Sequence, residues 1–180
     1  MISPENGPKV LRALRFKRQG KVRSLIVLLF AMAADGCSAD GNRAAQFDDI
    51  REATFRYLFV KNASGLQQNA KVYFLSLLDP VKKQHEDPAD GFMARFAGHH
   101  PRVAKASAAN SAGITGVQDK QTGEHGLIFH LGDIRWISDT AVEVDGSYYE
   151  ASESAAGSTY YLKKQEGRWV VQRDVMHWIK

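Results

Sequence analysis

The stretch Leu127-Ile-Phe-His-Leu-Gly-Asp-Ile-Arg-Trp-Ile137 begins the part of the sequence that decides the fold. This stretch and the segments after it are rich in β-branched and aromatic residues, which favour strands. Short polar segments separate them, and such segments favour tight turns. The sequence therefore predicts an antiparallel meander of four strands, over residues 127–137, 141–152, 159–164 and 169–179. The predicted turns are residues 138–140, 153–158 and 165–167.

The alternation of residue types within the meander predicts which side of each strand is buried. In the second predicted strand, Val142, Val144 and Tyr148 share one face, whereas Glu143 and Asp145 share the other. In the last predicted strand, apolar residues fall on both faces. That pattern predicts that both faces of the last strand are at least partly covered.

Ahead of the meander, the sequence predicts two helices and two strands. A helix begins at Asp48 or Asp49 and ends near Lys61, and its apolar stripe has helical spacing. That stripe consists of Ile50, Phe55, Leu58 and Phe59. A strand is predicted over residues 70–78, a charged loop over 80–91, a short second helix over 89–97 that follows Pro88, and a short strand over 103–107.

Two glycines lie inside long predicted strands, namely Gly132 and Gly146. Glycines at such positions predict bulges, which bend and twist a sheet. The predicted fold class is therefore α+β: an N-terminal helix and a short second helix packed on a strongly curved antiparallel sheet. One domain of this kind is expected over residues 47–180.

The opening helix (residues 50–59) and the closing hairpin Ser158-Thr-Tyr-Tyr-Leu-Lys-Lys-Gln-Glu-Gly-Arg-Trp-Val-Val-Gln-Arg-Asp174 resemble the NTF2-like (SnoaL-like) cone superfamily. Many of its members end in a strand, a Gly-Arg/Lys-Trp turn and a final strand. One departure is that the family commonly has more helix before its first strand. Membership would imply a helix-lined cone with an apolar pocket. It would not imply one function, because this fold hosts isomerases, dehydratases, binding modules and exported proteins.

A ten-residue apolar stretch, Leu25-Ile-Val-Leu-Leu-Phe-Ala-Met-Ala-Ala34, follows seven basic residues. It is too short to cross a bilayer, which needs about 20 helical residues. Positive charge before it and small residues after it are typical of a signal peptide. We therefore expect residues 1–36 to be an export signal and residues 37–46 to be a flexible tether. A start at Val22 would give a compact signal, so residues 1–21 are interpreted as a gene-model extension. A mitochondrial presequence is the lesser alternative.

Two processing routes fit this segment. Ala31-Met-Ala33 matches the A-x-A rule, and cleavage there would free a soluble protein. Alternatively, Ala34-Asp-Gly-Cys37 resembles a lipobox, although its aspartate departs from that pattern. Cys37, the only cysteine of the chain, would then be the lipidated first residue of a bacterial lipoprotein. Both routes predict a protein in the periplasm or anchored to the cell envelope.

The net charge of +4 does not indicate a nucleic-acid partner. Residues 1–36 contain seven basic and two acidic residues, which leaves 17 basic and 18 acidic residues in the rest of the chain. Binding to phosphates requires a clustered basic surface. The expected domain has no basic surplus, so we expect no nucleic-acid partner. Contact with a membrane is expected only through the signal segment or a lipid anchor.

The chain contains six histidines but no pattern typical of a metal site: His85, His99, His100, His125, His130 and His177. Metal sites usually need three or four ligands with supporting geometry, and no H-x-x-x-H or cysteine pair occurs. We therefore expect no metal and no cofactor, and loop histidines on the surface. His130 and His177 differ, because both lie in predicted strands among aromatic residues. Each is either a hydrogen-bonded core group or a general base that faces a pocket.

No known catalytic motif can be carried over to this chain. Asp174, His130 and His177 are the candidates for catalysis if the domain is a small isomerase or hydrolase-like enzyme. Asp174 is otherwise expected to pair with Arg173 or Arg135 across strands. Aromatic residues of the curved sheet are the expected lining of a ligand pocket: Trp136, Tyr148, Tyr160 and Trp169. The leading expectation is a non-catalytic domain that binds a small apolar ligand or a protein partner, and homodimers are a third possibility.

Overall fold

The computed structural model describes residues 41, 43–66, 69–111 and 116–180, which belong to the unit Asp40–Lys180. The expected export signal and Cys37 lie outside the described residues. The elements in chain order are helix α1 (Phe47–Val60), strands β1 (Val72–Asp79) and β2 (Gln84–Glu86), helix α2 (Asp90–Met93) with the 3-10 helix Ala94–Phe96, and strands β3 (Arg102–Lys105), β4 (Ala109–Asn110), β5 (Gln118–Asp119), β6 (Gly126–Ser138), β7 (Ala141–Ala151), β8 (Ser154–Gln165) and β9 (Arg168–Ile179).

The main sheet of the described residues is mixed and largely antiparallel. Its strand order is β2-β1-β6-β7-β8-β9, and β3 pairs with β1. Strands β6 to β9 form the predicted antiparallel meander. However, β1 runs parallel to both β3 and β6, so the predicted antiparallel sheet is confirmed only in part. The chain returns to the starting end of β1 before β6 begins, and such a crossover makes neighbouring strands parallel.

Helix α1 packs on one side of the sheet, against β9 and β6. We call this side the helix face. Phe55 of α1 is fully buried, and its ring lies 6.2–6.4 Å from the rings of Phe59, Phe92 and Phe96. The predicted apolar stripe of α1 is therefore confirmed. The predicted buried face of β7 is also confirmed, because Val142, Val144 and Tyr148 belong to this core.

The opposite side of the sheet, which we call the outer face, is only partly covered. A small second core of Val72, Phe74, Val117 and Ile128 lies there, packed against alanines of the segment from β3 to β4. Further along the strands, the outer face carries polar side chains instead. Both candidate sites described below follow from this arrangement, one on each face.

Several element boundaries differ from the predictions. Strand β2 lies within the predicted loop 80–91 and pairs with the end of β1. Strand β8 begins at Ser154, so only two residues link it to β7. The pairing of β6 with β7 shifts register between Leu131 and Ile134, which confirms a bulge near Gly132. Gly146 pairs with Leu131 at the edge of this bulge and with Ser158 in regular register, so the extra residue lies in β6 and the second predicted bulge, in β7, is wrong.

Strand β9 is the clearest contradiction of a burial prediction. Only Trp169 of this strand is buried, whereas Met176, Trp178 and Ile179 are 46–58% exposed. The prediction that both faces of the last strand are at least partly covered is therefore wrong for most of its length, although α1 packs against this strand. The reason is position, because β9 ends the sheet and has only β8 beside it among the described strands. No helix in the described ranges is long and apolar enough to cross a bilayer.

Candidate functional site

A pocket of about 420 Å³ lies on the helix face, and we call it the helix-face pocket. The end of α1 and the loop after it form one side, and strands β7, β8 and β9 form the other. Two of the four aromatic residues expected to line a pocket, Tyr148 and Tyr160, do line it. The remaining lining residues are Tyr57, Val60, Lys61, Asn62, Ala63, Ala156, Ser158, Asp174 and Met176.

Tyr57 and Asp174 join the helix to the sheet within this pocket. The Tyr57 hydroxyl donates a hydrogen bond of 2.7 Å to Asp174 Oδ1. The expected pairing of Asp174 with arginine is therefore wrong. Arg173 lies instead over the ring of Tyr161 at 3.5 Å from its centroid, and Arg135 pairs with Asp145 and Glu143. Strand alternation accounts for this, because Asp174 projects to the helix face and Arg173 to the outer face.

The phenols of the helix-face pocket remain neutral at physiological pH. Burial, with added contributions from the neighbouring Asp174 carboxylate, raises the pKa of Tyr57 to about 12. Burial likewise raises the pKa of Tyr160 and of Tyr148. The rings of Tyr57 and Tyr160 meet edge to face at 5.8 Å. The pocket therefore offers aromatic surface together with hydroxyl groups that keep their protons.

A second cavity, of about 480 Å³, opens on the outer face, and we call it the outer-face cleft. Small residues at the centre of the sheet form its floor, with histidines on either side. Its lining consists of His85, His130, Gly132, Asp145, Gly146, Ser147, Gly157, Ser158, Thr159, His177 and Trp178. His130 and His177 are candidates predicted from the sequence, whereas His85 was expected to be a surface loop residue outside any site.

A chain of hydrogen bonds crosses the outer-face cleft. Arg135 forms a two-pronged ion pair with Asp145, in which its Nη2 donates to Oδ1 at 2.8 Å. Thr159 Oγ1 donates to the same Oδ1 at 2.7 Å and lies 2.8 Å from His177 Nε2. Hydrogen bonds to Arg135, helped by the one to Thr159, hold the pKa of Asp145 below its ordinary value although burial opposes this. Strand alternation could have placed Asp145 and Thr159 on one face, but their contact with His177 depends on the strand pairing.

A β-bulge in β9 explains why two adjacent residues enter this cleft. Gly157 pairs with Trp178, but the next residue, Ser158, pairs with Met176, so His177 is the additional residue. A bulge changes the direction of a side chain, and here both His177 and Trp178 line the cleft. A side chain at position 157 would overlap the indole ring of Trp178, so this close approach requires glycine.

His130 forms the other wall of the cleft together with His85. The two imidazole rings lie 4.6 Å apart. Burial, and to a smaller extent the charge of His85, lowers the pKa of His130 to about 4. Its Nδ1 is buried and has no hydrogen-bond partner among the described residues. His130 is therefore neutral at pH 7.

The three candidates for catalysis do not form one set. His130 and His177 lie in the outer-face cleft, whereas Asp174 lies in the helix-face pocket. The two tryptophans expected in a ligand pocket are also elsewhere. Trp136 and Trp169 contact each other at 5.6 Å, near Arg43, and line neither of these two cavities. Trp169 instead lines a third cavity, of about 370 Å³, beside α1. Within the described part of the chain, no group of three or more His, Cys, Asp or Glu residues is arranged to hold a metal ion.

Comparison with known proteins gave no match for this chain among family models, curated proteins or solved structures.

Proposed function

We propose that this domain binds a small, mainly apolar ligand in the helix-face pocket and performs no chemistry on it. The observation that carries this proposal is the pocket's lining of three tyrosines, Tyr57, Tyr148 and Tyr160, whose phenols keep their protons. Such a lining offers aromatic area and a few hydrogen-bonding groups, which is typical of small-molecule sites. A volume of about 420 Å³ is within the range of such sites.

The proposed ligand carries one polar group beside an apolar body. Val60, Met176 and Ala156 supply apolar surface, whereas Ser158 and Asp174 supply hydrogen-bonding oxygens. A ligand that carries a hydroxyl or amine could therefore be oriented by these oxygens while its apolar part lies against the rings. Binding rather than catalysis is proposed because Asp174 is exposed and already accepts the Tyr57 hydrogen bond.

The proposal is tested with small neutral amphipathic compounds, beginning with para-cresol, indole and 1-octanol. A ligand that binds only the folded state raises the melting temperature with its concentration. Met176→Trp, which fills the mouth of the pocket, should abolish that increase. Val170→Trp is the matched control, because Val170 is also an exposed apolar residue of β9 but does not line the pocket. If no compound raises the melting temperature, or if both variants respond alike, this proposal is wrong.

We further propose that the sheet curls into a cone of the NTF2-like type. The bulges in β6 and β9 and the helix packed on one face support this proposal. An experimental structure whose sheet remains open and gently twisted would contradict it.

Export and anchoring of the protein also remain proposals, and they rest on residues 1–37 alone. We propose that the mature chain begins either at Ala34 or at a lipidated Cys37. The intact mass of the mature protein, measured from cells, distinguishes these two forms from an unprocessed chain. Peptides from residues 9–18 in the expressed precursor would contradict the interpretation of residues 1–21 as a gene-model extension.

A homodimer that forms through β9 is a second candidate. This strand ends the sheet of the described residues and carries exposed apolar side chains, including Val175 and Ile179. Exposed apolar edge strands are typical sites for pairing with another chain. Light scattering should report a dimer, and Ile179→Lys should shift it toward the monomer. A monomer at all accessible concentrations would exclude this candidate.

A further inference from the structure

The outer-face cleft has features of a binding site that the helix-face pocket lacks. His177 is hydrogen-bonded, His130 is half-buried, the nearby charges are paired, and an exposed tryptophan forms one wall. Each of these features limits what the cleft can bind.

The hydrogen-bond chain fixes the proton of His177. An ionised carboxylate only accepts hydrogen bonds, so Thr159 Oγ1 must use its single proton to donate to Asp145. The contact of 2.8 Å between Thr159 Oγ1 and His177 Nε2 is therefore a bond in which Nε2–H donates. In the neutral imidazole, Nδ1 of His177 then carries a free lone pair. One wall of the cleft thus presents a hydrogen-bond acceptor.

The opposite wall presents a donor. Nδ1 of His130 is buried without a partner in the described part of the chain. A buried ring nitrogen without a partner is expected to carry a lone pair rather than a proton, because buried N–H groups without an acceptor are rare. The proton of the neutral ring is then on Nε2. The same orphaned nitrogen argues against a metal, because a metal-bound histidine almost always donates its second N–H to a partner.

The charges around the cleft cancel. Arg135 is paired with both Asp145 and Glu143, and Arg173 is stacked on Tyr161 beside them on the outer face. Two positive and two negative side chains therefore lie together, with no excess of either sign. Among its described residues, the cleft therefore has no excess charge that would attract a phosphate or an ammonium ion.

Trp178 supplies the apolar part of the cleft. Its indole ring occupies the space above Gly157, and 46% of the residue is exposed. The electron-rich face of an aromatic ring attracts groups whose edges carry partial positive charge, such as the C–H groups of a saturated ring.

We propose that the outer-face cleft binds a neutral carbohydrate. A pyranose ring has a C–H face that can stack on Trp178, and each hydroxyl can both donate and accept a hydrogen bond. One hydroxyl would donate to His177 Nδ1 and another would accept from His130 Nε2–H. The cleft volume of about 480 Å³ is within the range of small-molecule sites. This proposal does not depend on a ligand in the helix-face pocket, although Ser158 lines both cavities.

The first test determines the imidazole tautomers by ¹⁵N–¹H correlation NMR of the whole domain at neutral pH. His177 should carry its proton on Nε2. In Thr159→Val the preference should be lost, whereas Thr159→Ser, which keeps the hydroxyl, should restore it. A His177 protonated on Nδ1 in the unmodified protein would overturn the assignment of an acceptor on this wall.

The second test titrates maltotriose and N,N′,N″-triacetylchitotriose into the ¹⁵N-labelled protein. At least one of them should shift the Trp178 indole N–H and the His177 ring signals at millimolar concentration. Trp178→Ala should weaken that binding about tenfold, as expected for loss of a central aromatic contact. Val170→Ala, an exposed apolar position of the same strand outside the cleft, should leave it unchanged. The dispersed spectrum of each variant establishes that it is folded.

Three outcomes would overturn the carbohydrate proposal. One is the absence of any shift at Trp178 and His177 with either trisaccharide. Another is a set of shifts confined to Tyr57 and Met176, which would place the sugar in the helix-face pocket instead. The third is tighter binding of a neutral planar molecule without hydroxyl groups, for which caffeine is the probe, because the cleft would then recognise flat rings rather than hydroxyl groups.

Discussion

The two faces of the sheet are built from the same strands but carry different functional groups. On the helix face, α1 covers the strands and leaves a pocket whose phenols keep their protons. Tyr57 donates a hydrogen bond to Asp174 there. On the outer face, beyond the cover of β3 and β4, a polar chain from Arg135 to His177 lies in an open cleft. The same strands therefore present different environments on their two sides. The segments packed on each face, rather than the strands themselves, determine which polar side chains are buried there and which remain accessible.

The largest expected effect is a loss of stability when the packing of α1 on the helix face is weakened. Phe55→Ala should lower the free energy of unfolding by about 3–5 kcal/mol, because Phe55 is fully buried at the centre of the aromatic contacts under α1. Urea denaturation measures this loss. We expect the response of the helix-face pocket to ligands to be lost before the His177 tautomer preference changes. Equal loss of both at low denaturant would mean that the two faces are not separable.

The next prediction concerns acid and the outer face. The folded pKa of His130 is about 4, below its ordinary value of about 6.5, so the unfolded chain takes up the proton first as the pH falls. The contribution of this residue to stability is complete above pH ~6.5 and is lost as the pH falls toward 4. The loss is about 3 kcal/mol at most, at 1.36 kcal/mol per pKa unit.

Denaturation measured between pH 7 and pH 4.5 tests this prediction. His130→Gln should flatten the dependence of stability on pH within that window. His125→Gln, a change at an exposed histidine, is the control and should retain the slope of the unmodified protein. A slope that is unchanged in His130→Gln would show that another group causes the loss in acid.

A smaller loss of stability is expected when the hydrogen-bond chain of the outer-face cleft is interrupted. Thr159→Val removes one hydrogen bond to Asp145 and one to His177, at a buried position. We expect a loss of about 1–2 kcal/mol, because Asp145 keeps its ion pair with Arg135. Thr159→Ser should recover most of that loss. If the serine variant is as unstable as the valine variant, the methyl group rather than the hydroxyl is responsible.

The smallest effect is expected on the helix face, at the bond between helix and sheet. Tyr57→Phe removes the hydrogen bond to Asp174, whose side chain is exposed, so the loss should be about 1 kcal/mol or less. Ultraviolet titration of the unmodified protein should show one more tyrosine with a raised pKa than the variant does. Tyr161→Phe is the control, because Tyr161 lies on the outer face beneath Arg173.

The local features of the fold were predictable because they depend on short-range patterns. The helical spacing of Ile50, Phe55 and Leu58 specified the buried side of α1, and alternation specified the buried side of β7. The meander from β6 to β9 follows from the same patterns. In contrast, the parallel pairing of β1 with β6 depends on a crossover of many residues, for which no local pattern exists.

The candidate sites were predictable only in part. Tyr148 and Tyr160 are predicted pocket residues and lie in one, but no sequence pattern indicated that Tyr57 of α1 lies beside them. His130 and His177 were identified from their positions in strands among aromatic residues. Their separation from Asp174 follows from alternation, because Asp174 and His177 are three residues apart in β9 and therefore lie on opposite faces. What could not be foreseen is the bulge, which adds Trp178 to the face of His177.

The sequence by itself determined the α+β class, the buried stripe of α1 and the four-stranded meander, because these depend on residue spacing within single elements. The proposal of export rests on the sequence alone, since residues 1–37 lie outside the described structure. Only the tertiary structure decided that β9 lies exposed at the sheet edge and that His130 and His177 line one cleft. Strand order and register set those distances, and they arise from contacts between segments that are far apart in the chain.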